Sequence, residues 1–230
     1  MIIAEIEANL QAVRERIAAA AGRAGRDPAQ ITLVAVTKTQ PVEVIGAAYE
    51  LGLRDFGENR VEEAESKFHR LPKDIRWHMV GHVQSRKAAQ AVHPYVLVHS
   101  VDSLKLARRL DRFAAEAGRR LPILLEVNVS GEASKYGFRP EEAATAVEAM
   151  RGFAHLQLQG LMTMAPIVPD PEEARPVFVA LRELRERLAA RFPDLDWQHL
   201  SMGMSDDFEV AVEEGATIVR IGRAIFGERR

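Results

Sequence analysis

The chain alternates short, continuous apolar runs with longer segments whose apolar positions recur at helical spacing. Residues 4–24 (AEIEANLQAVRERIAAAAGRA) carry the helical period and stop near Gly22 and Gly25, which predicts a leading helix. After it, apolar runs at 31–37, 54–57, 75–80, 95–100, 122–129, 156–163, 197–201 and 217–222 read as strands. Segments 41–52, 60–71, 85–92, 102–117, 139–152, 170–191 and 206–214 read as the helices between them. Asp102 and Asp206 stand where helix caps are expected, and Gly118 and Gly215 where helices stop. Eight strands separated by helices predict an α/β fold, a single closed (β/α)8 TIM barrel over residues 1–230 with an extra N-terminal helix. A doubly wound open sheet is the alternative. Residues 166–171 (PIVPDP) read as a loop, not a linker between domains.

In a barrel the carboxyl ends of the strands make the functional face, and here those ends are polar. Lys38 closes the run Ile31-Thr32-Leu33-Val34-Ala35-Val36 and is followed by Pro41. A lysine half withdrawn from water there can lose its proton at modest cost and form a Schiff base with a carbonyl compound. The plainer reading is a solvated strand-terminal lysine. The second strand ends in Phe56-Gly57-Glu58-Asn59, the third in Trp77-His78-Met79-Val80-Gly81-His82, the seventh in His199-Leu200-Ser201-Met202-Gly203-Met204-Ser205 and the eighth in Arg220-Ile221-Gly222-Arg223. Ser201, Gly203 and Gly222 fall in the two loops where barrels usually hold a phosphate. Alternation puts Ile218, Arg220 and Gly222 on one side of the last strand, so Arg220 either faces a ligand or satisfies carboxylates such as Glu58 or Glu126 inside the barrel. His78 and His82 straddle a strand end without supporting carboxylate spacing, which argues against a metal site. Ser201 beside His199 lacks the strand-turn-helix elbow of a serine nucleophile. Met162 and Met164 read as core packing.

Composition narrows the partners. With 230 residues, 47% of them hydrophobic, one core can bury most of the apolar surface. The balance of 31 basic against 33 acidic residues, net −2, argues against nucleic acid and anionic membranes. The absence of cysteine removes disulfides, thiolate metal sites and thiol nucleophiles. The start Met1-Ile2-Ile3-Ala4-Glu5 lacks a basic, then apolar, leader, and a cytoplasmic location is expected.

The segments Ala35-Val36-Thr37-Lys38, Phe56-Gly57-Glu58-Asn59, Trp77-His78-Met79-Val80-Gly81-His82-Val83-Gln84 and Gly160-Leu161-Met162 belong together with two longer ones. These are Leu200-Ser201-Met202-Gly203-Met204-Ser205-Asp206-Asp207 and Val219-Arg220-Ile221-Gly222-Arg223-Ala224-Ile225-Phe226-Gly227. The set resembles the pyridoxal phosphate homeostasis protein family, in order from about residue 5 to residue 227, with Glu126-Val127-Asn128 and Ser134-Lys135-Tyr136-Gly137 as further blocks. The resemblance implies pyridoxal 5′-phosphate (PLP) as cofactor, held as a Schiff base on Lys38 in a barrel similar to the amino-terminal domain of alanine racemase. It also implies a phosphate on Ser201 and Gly222, Arg220 facing the pyridine nitrogen, and a pocket lined by Asn59, His82 and Met162. Two residues depart from the commoner pattern: Arg223 replaces a small hydroxyl residue and Arg86 an asparagine.

A cofactor lysine raises the alternative of a PLP-dependent racemase or decarboxylase. Racemisation needs a second acid/base on the opposite face, which barrels of that kind take from a further domain. Only Tyr49, Tyr95 and Tyr136 could supply a phenol; Tyr136, in the loop after the fifth strand, is the one candidate to reach the site, and its plainer reading is a loop packing residue. An unprotonated ring nitrogen opposite Arg220 also weakens the electron sink. The expectation is a non-enzymatic carrier serving intracellular vitamin B6 homeostasis, with no catalytic residue. It would take free amino acids as aldimines, touch PLP-dependent apoenzymes transiently, and be a monomer or weak dimer.

Overall fold

A computed structural model describes residues 3–132 and 135–228. Eight parallel strands, β1 (Thr32–Val36), β2 (Asp55–Glu58), β3 (Arg76–Met79), β4 (Leu97–Val101), β5 (Leu121–Glu126), β6 (Leu156–Met162), β7 (His199–Ser201) and β8 (Ile218–Ile221), close into one barrel in sequence order. The closure is made where β8 pairs with β1, Val34 opposite Arg220 and Ala35 opposite Ile221. The helices are α1 (Ile3–Arg23), α2 (Val42–Glu50), α3 (Val61–Phe68), α4 (Leu104–Glu116), α5 (Ala143–Met150), α6 (Arg175–Arg191), α7 (Phe208–Glu213) and α8 (Arg223–Phe226). None of them is long and apolar enough to cross a membrane.

The eight expected strands all form, and the barrel closes where an open sheet was the alternative. Local differences have local causes. Residues 85–92 do not make an α-helix: Ser85–Lys87 is a 3-10 turn, and Ala88, Gln90, Ala91 and Val92 continue with three-residue hydrogen bonds. The segment 139–142 is a turn ahead of α5, closed by the Glu142 carboxylate on the Arg139 N–H at 2.9 Å. Pro171 begins a 3-10 turn that Asp170 caps, so α6 starts at Arg175. Ser103, not Asp102, caps α4 through the Leu106 N–H, and Asp207, not Asp206, is the residue before α7. α8 was not foreseen, because four residues are too few to show a period.

Period-two alternation sorts the strand residues into two shells. The outer shell joins strands to helices, with Phe56, Met79, Val98, Leu125, Leu161 and Ile221 among the buried side chains. The inner shell is small: Val34, Val80, Leu97, Leu124, Met162 and Ile218 fill the middle of the barrel. Gly57 belongs to it, since a Cβ there would stand 2.9 Å from Val34 Cγ1. α1 lies outside this barrel, burying Ile6, Leu10, Val13 and Ile17 against α7, α8 and α2.

Gly160 shows how tightly the barrel is drawn. Its φ is +145°, and a Cβ would lie 1.9 Å from the His199 carbonyl oxygen of the adjoining strand. Gly160→Ala is therefore expected to break the β6–β7 pairing or destabilise the protein by more than about 3 kcal/mol, read by urea denaturation. A loss under about 1 kcal/mol would mean that the two strands can part to admit a methyl group.

Candidate functional site

The turn that carries Lys38 is held from below by buried charges. Lys38 is half-buried two residues past the end of β1, between the buried Thr37 and the exposed Thr39. Thr37 Oγ1 donates to Glu58 Oε1 at 2.6 Å, and Lys67 Nζ donates to the same oxygen at 2.8 Å and to the Thr37 carbonyl at 2.9 Å. Glu63, one helical turn before Lys67, takes a third bond from its ammonium at 3.0 Å and accepts the Thr39 N–H. Thr39 has φ +64°, the one non-glycine residue with a left-handed backbone among the described residues. A β-branched residue in that region costs roughly 1–3 kcal/mol, so the clamp maintains a strained turn beside Lys38. Glu58 points outward to α3, which is why it does not pair with Arg220, and burial raises its pKa despite Lys67 and Thr37.

Inside the barrel, Arg220 is buried. Its Nη1 donates to Ser201 Oγ at 2.6 Å and its Nη2 to the Thr163 carbonyl at 2.9 Å. Burial lowers its pKa to about 10, with Asp207 and Glu126 pulling the other way, so it stays cationic at neutral pH. Of the two carboxylates weighed as its partners, only Glu126 acts on it, and through space. Ser201, fully buried, has its Oγ between Arg220 and His99 Nδ1, the latter at 2.8 Å. Glu126 Oε2 is buried without a hydrogen bond among the described residues. Burial, and then the Asp102 charge, push its pKa up to about 7.

Gly222 stands where β8 turns into α8. A Cβ there would come within 3.2 Å of the Val36 carbonyl oxygen, so Gly222 faces the end of the strand that delivers Lys38. Met162, Glu126 and Ser201 fall in one register row on β6, β5 and β7. Asn59 and His82 lie apart from that interior group. They line a cleft of about 810 Å³ with Glu63, Gly81, Gln84 and Lys87, and neither Lys38, Ser201 nor Arg220 is on its wall. His82 Nδ1 bonds Asp102 at 2.8 Å, while its ring stacks on Tyr136 at 3.8 Å and 11°. Tyr136 thus reaches the loop after β3, and Asp102 orients that histidine. His78 turns inward and shares no partner with His82.

The residues that departed from the family pattern have partners of their own. The Arg223 guanidinium pairs with Asp206, and Arg86 Nε bonds Gln84 at 3.0 Å. Lys135 Nζ bonds Glu132 at 3.0 Å and the Met164 carbonyl at 3.2 Å, while Ser134 beside it lies outside the described residues. Sequence reasoning missed His99, Lys67, Glu63 and Thr163. His99 had a signal, a histidine in the middle of the buried strand segment Leu97-Val98-His99-Ser100-Val101. Lys67 had none, since a helical lysine is normally solvated.

The chain is similar to known proteins over nearly its whole length. The family model for the alanine racemase N-terminal domain matches residues 8–230. The pyridoxal phosphate homeostasis protein of Aquifex aeolicus is 43% identical over 222 residues, 96% of this chain and 97% of that one. The protein of the same name from Pseudomonas aeruginosa is 44% identical over 225 residues, covering 97% and 96%. Among solved structures, PipY of Synechococcus elongatus with PLP bound superposes with a TM-score of 0.84 at 36% identity, covering 96% of this chain and all of that one (100%). An alanine racemase from Clostridium difficile, at 14% identity and a TM-score of 0.73, shares the fold over 98% of this chain and 57% of its own. The chain belongs to the pyridoxal phosphate homeostasis protein family, within the wider family of alanine racemase N-terminal domains.

Lys67→Met leaves the Glu58 carboxylate buried without its cation and is expected to cost about 3–5 kcal/mol in urea denaturation, most of it recovered when Glu58→Gln is added. Equal losses in the single and double variants would show that the ion pair does not hold the turn. Glu126 binds more protons folded than unfolded between its ordinary 4.5 and its native value of about 7. Stability therefore falls as pH rises through that window, by about 3 kcal/mol in total, and Glu126→Gln should remove the fall. An unchanged pH profile in that variant would place the titration elsewhere.

Proposed function

We propose that this protein holds PLP covalently on Lys38 and serves the supply and buffering of vitamin B6 without efficient turnover. The observation that carries the reading is the pairing of a clamped, strained lysine turn at the end of β1 with a buried, anchored guanidinium on the neighbouring β8. The residues fit such a group. The upper interior is not an apolar plug: it offers Arg220, Ser201 and an orphaned Glu126 oxygen, with a side-chain-free approach at Gly222. When bound, PLP supplies an aldehyde open to amines and an electron-withdrawing ring.

On this reading Lys38 would hold the group through its Nζ, and the Thr37–Glu58–Lys67 clamp fixes the turn from which it projects. The backbone around Gly222 meets the phosphate. Met162 borders the ring from the interior row, while Asn59 and His82, the latter held by Asp102, line the separate cleft on the β2–β3 side. Arg220 meets the ring nitrogen; a cation there keeps that nitrogen unprotonated and so weakens the carbanion stabilisation a racemase depends on. Ser201, whose oxygen accepts from Arg220, is read as the anchor of that guanidinium; the sequence had suggested a phosphate ligand. The names of the relatives, PLP homeostasis proteins, support the same role, as does the PLP bound to PipY. Free amino acids as partners, transient contact with apoenzymes, a cytoplasmic location and a monomer or weak dimer belong to this proposal.

Borohydride treatment of the PLP-loaded protein, followed by peptide mapping, is expected to place the pyridoxyl label on Lys38 and to find none in Lys38→Ala. A label on Lys87 or Lys135 instead would overturn the assignment. Deuterium exchange at the α-carbon of alanine is expected to stay far below the roughly 1–10³ per second typical of enzymes. Rapid formation of both enantiomers would mean that the site turns over, with Tyr136 the first residue to replace.

A further inference from the structure

Ser201 is one end of a row of hydrogen bonds that crosses the barrel interior to the first residue of β2. Asp55 Oδ1 lies 3.0 Å from His78 Nε2; His78 Nδ1 lies 3.0 Å from His99 Nε2; His99 Nδ1 lies 2.8 Å from Ser201 Oγ. Arg220 Nη1 closes the row on the same oxygen, and Arg76 Nε grips Asp55 from the other end at 2.8 Å. All four side chains from Asp55 to Ser201 are buried. The function proposed above uses none of the first three.

The polarity of the row follows from its ends. Burial alone would raise the Asp55 carboxyl, but the hydrogen bonds from Arg76 and His78 outweigh it and hold it at about 2, so Asp55 only accepts. His78 Nε2 must then carry a proton. In a neutral His78 the Nδ1 is bare, and the proton of the next bond has to sit on His99 Nε2. Complete burial, with His78, Arg220 and His199 nearby, holds His99 neutral, so its Nδ1 is bare in turn. The Ser201 hydrogen points to it. Arg220 has only hydrogens to give, and Ser201 Oγ receives one. Every bond is satisfied in a single direction, and each polarises the next toward a more basic serine oxygen.

We propose that Asp55 is a positioning residue for Arg220. Acting through His78 and His99, it fixes the hydroxyl orientation that lets Ser201 accept from the guanidinium, and so sets how Arg220 meets the ring nitrogen of a bound cofactor. The last step rests on the role given to Arg220 under the proposed function. An asparagine at this position can offer an amide N–H to His78, which reverses the row. His99 then becomes a second donor to the oxygen Arg220 uses, and the serine hydrogen is left without its acceptor.

Long-range proton–nitrogen NMR of the ligand-free protein at about pH 8, above the ordinary imidazole range, reads these tautomers directly. Protons on Nε2 of both His78 and His99 are expected in the native protein, and a proton on His99 Nδ1 in Asp55→Asn, together with a shift of the Arg220 side-chain nitrogen resonances. Arg76→Leu, which keeps the carboxylate, should retain the native tautomers. With PLP loaded, Asp55→Asn is expected to release it about tenfold faster and to move its visible absorbance maximum, a change that loss of fold alone would not produce. A proton on His99 Nδ1 in the native protein overturns the relay, even if the variant does not fold. Tautomers that reverse while the Arg220 resonances stay put overturn its reach. Failure of PLP to attach to Lys38 would sink the proposed function, yet leave the tautomers and the Arg220 resonances to decide the positioning role.

Discussion

A guanidinium inside a barrel whose strands are only three to seven residues long is the constraint on which the rest of this structure turns. A buried cation without acceptors is among the most expensive groups a fold can contain, so the interior around Arg220 must be polar. Ser201 and the Thr163 carbonyl meet it directly, Asp207 and Glu126 meet it through space, and Ser201 is in turn oriented by His99. These demands thin the inner apolar shell to a handful of side chains and leave Glu126 with an oxygen that no described residue answers. A barrel selected for stability alone would fill the same layers with branched aliphatic residues.

The second fixed point is outside the barrel wall. Glu58 sits on the helix-facing side of β2, where alternation places it, and it ties β1, β2 and α3 together through Thr37 and Lys67. Buried pairs of this kind contribute little net stability but resist partial loss strongly, which suits a device for holding geometry. The strained Thr39 beside Lys38 is consistent with that use, since backbone outliers persist where their surroundings over-determine them. Two separate charge systems, one inside the barrel and one between sheet and helix, thus converge on the β1 and β8 ends.

The barrel was legible because continuous apolar runs and helical periods alternate without interruption, and both signals are strong for buried parallel strands. Lys38, Ser201, Arg220 and Gly222 could be singled out as candidates because strand ends in a barrel are a short list, and the structure places all four at the ends of β1, β7 and β8. The short elements were not: α8 and the three-residue turns at 85–92 carry no period. Arg220 could be placed on the inner face but not assigned a partner, since partners come from strands remote in sequence. Lys67 and His99 were hidden for the same reason. Their identity as buried polar residues is a fact about neighbours, such as Glu58 and Ser201, that periodicity does not encode.

A crystal structure of the protein with PLP tests the central claim most directly. The account predicts continuous density from Lys38 Nζ into the cofactor, with the Arg220 guanidinium against the ring nitrogen while still held by Ser201 and the Thr163 carbonyl. Density joined to another lysine, or a ring nitrogen turned away from Arg220, would contradict it.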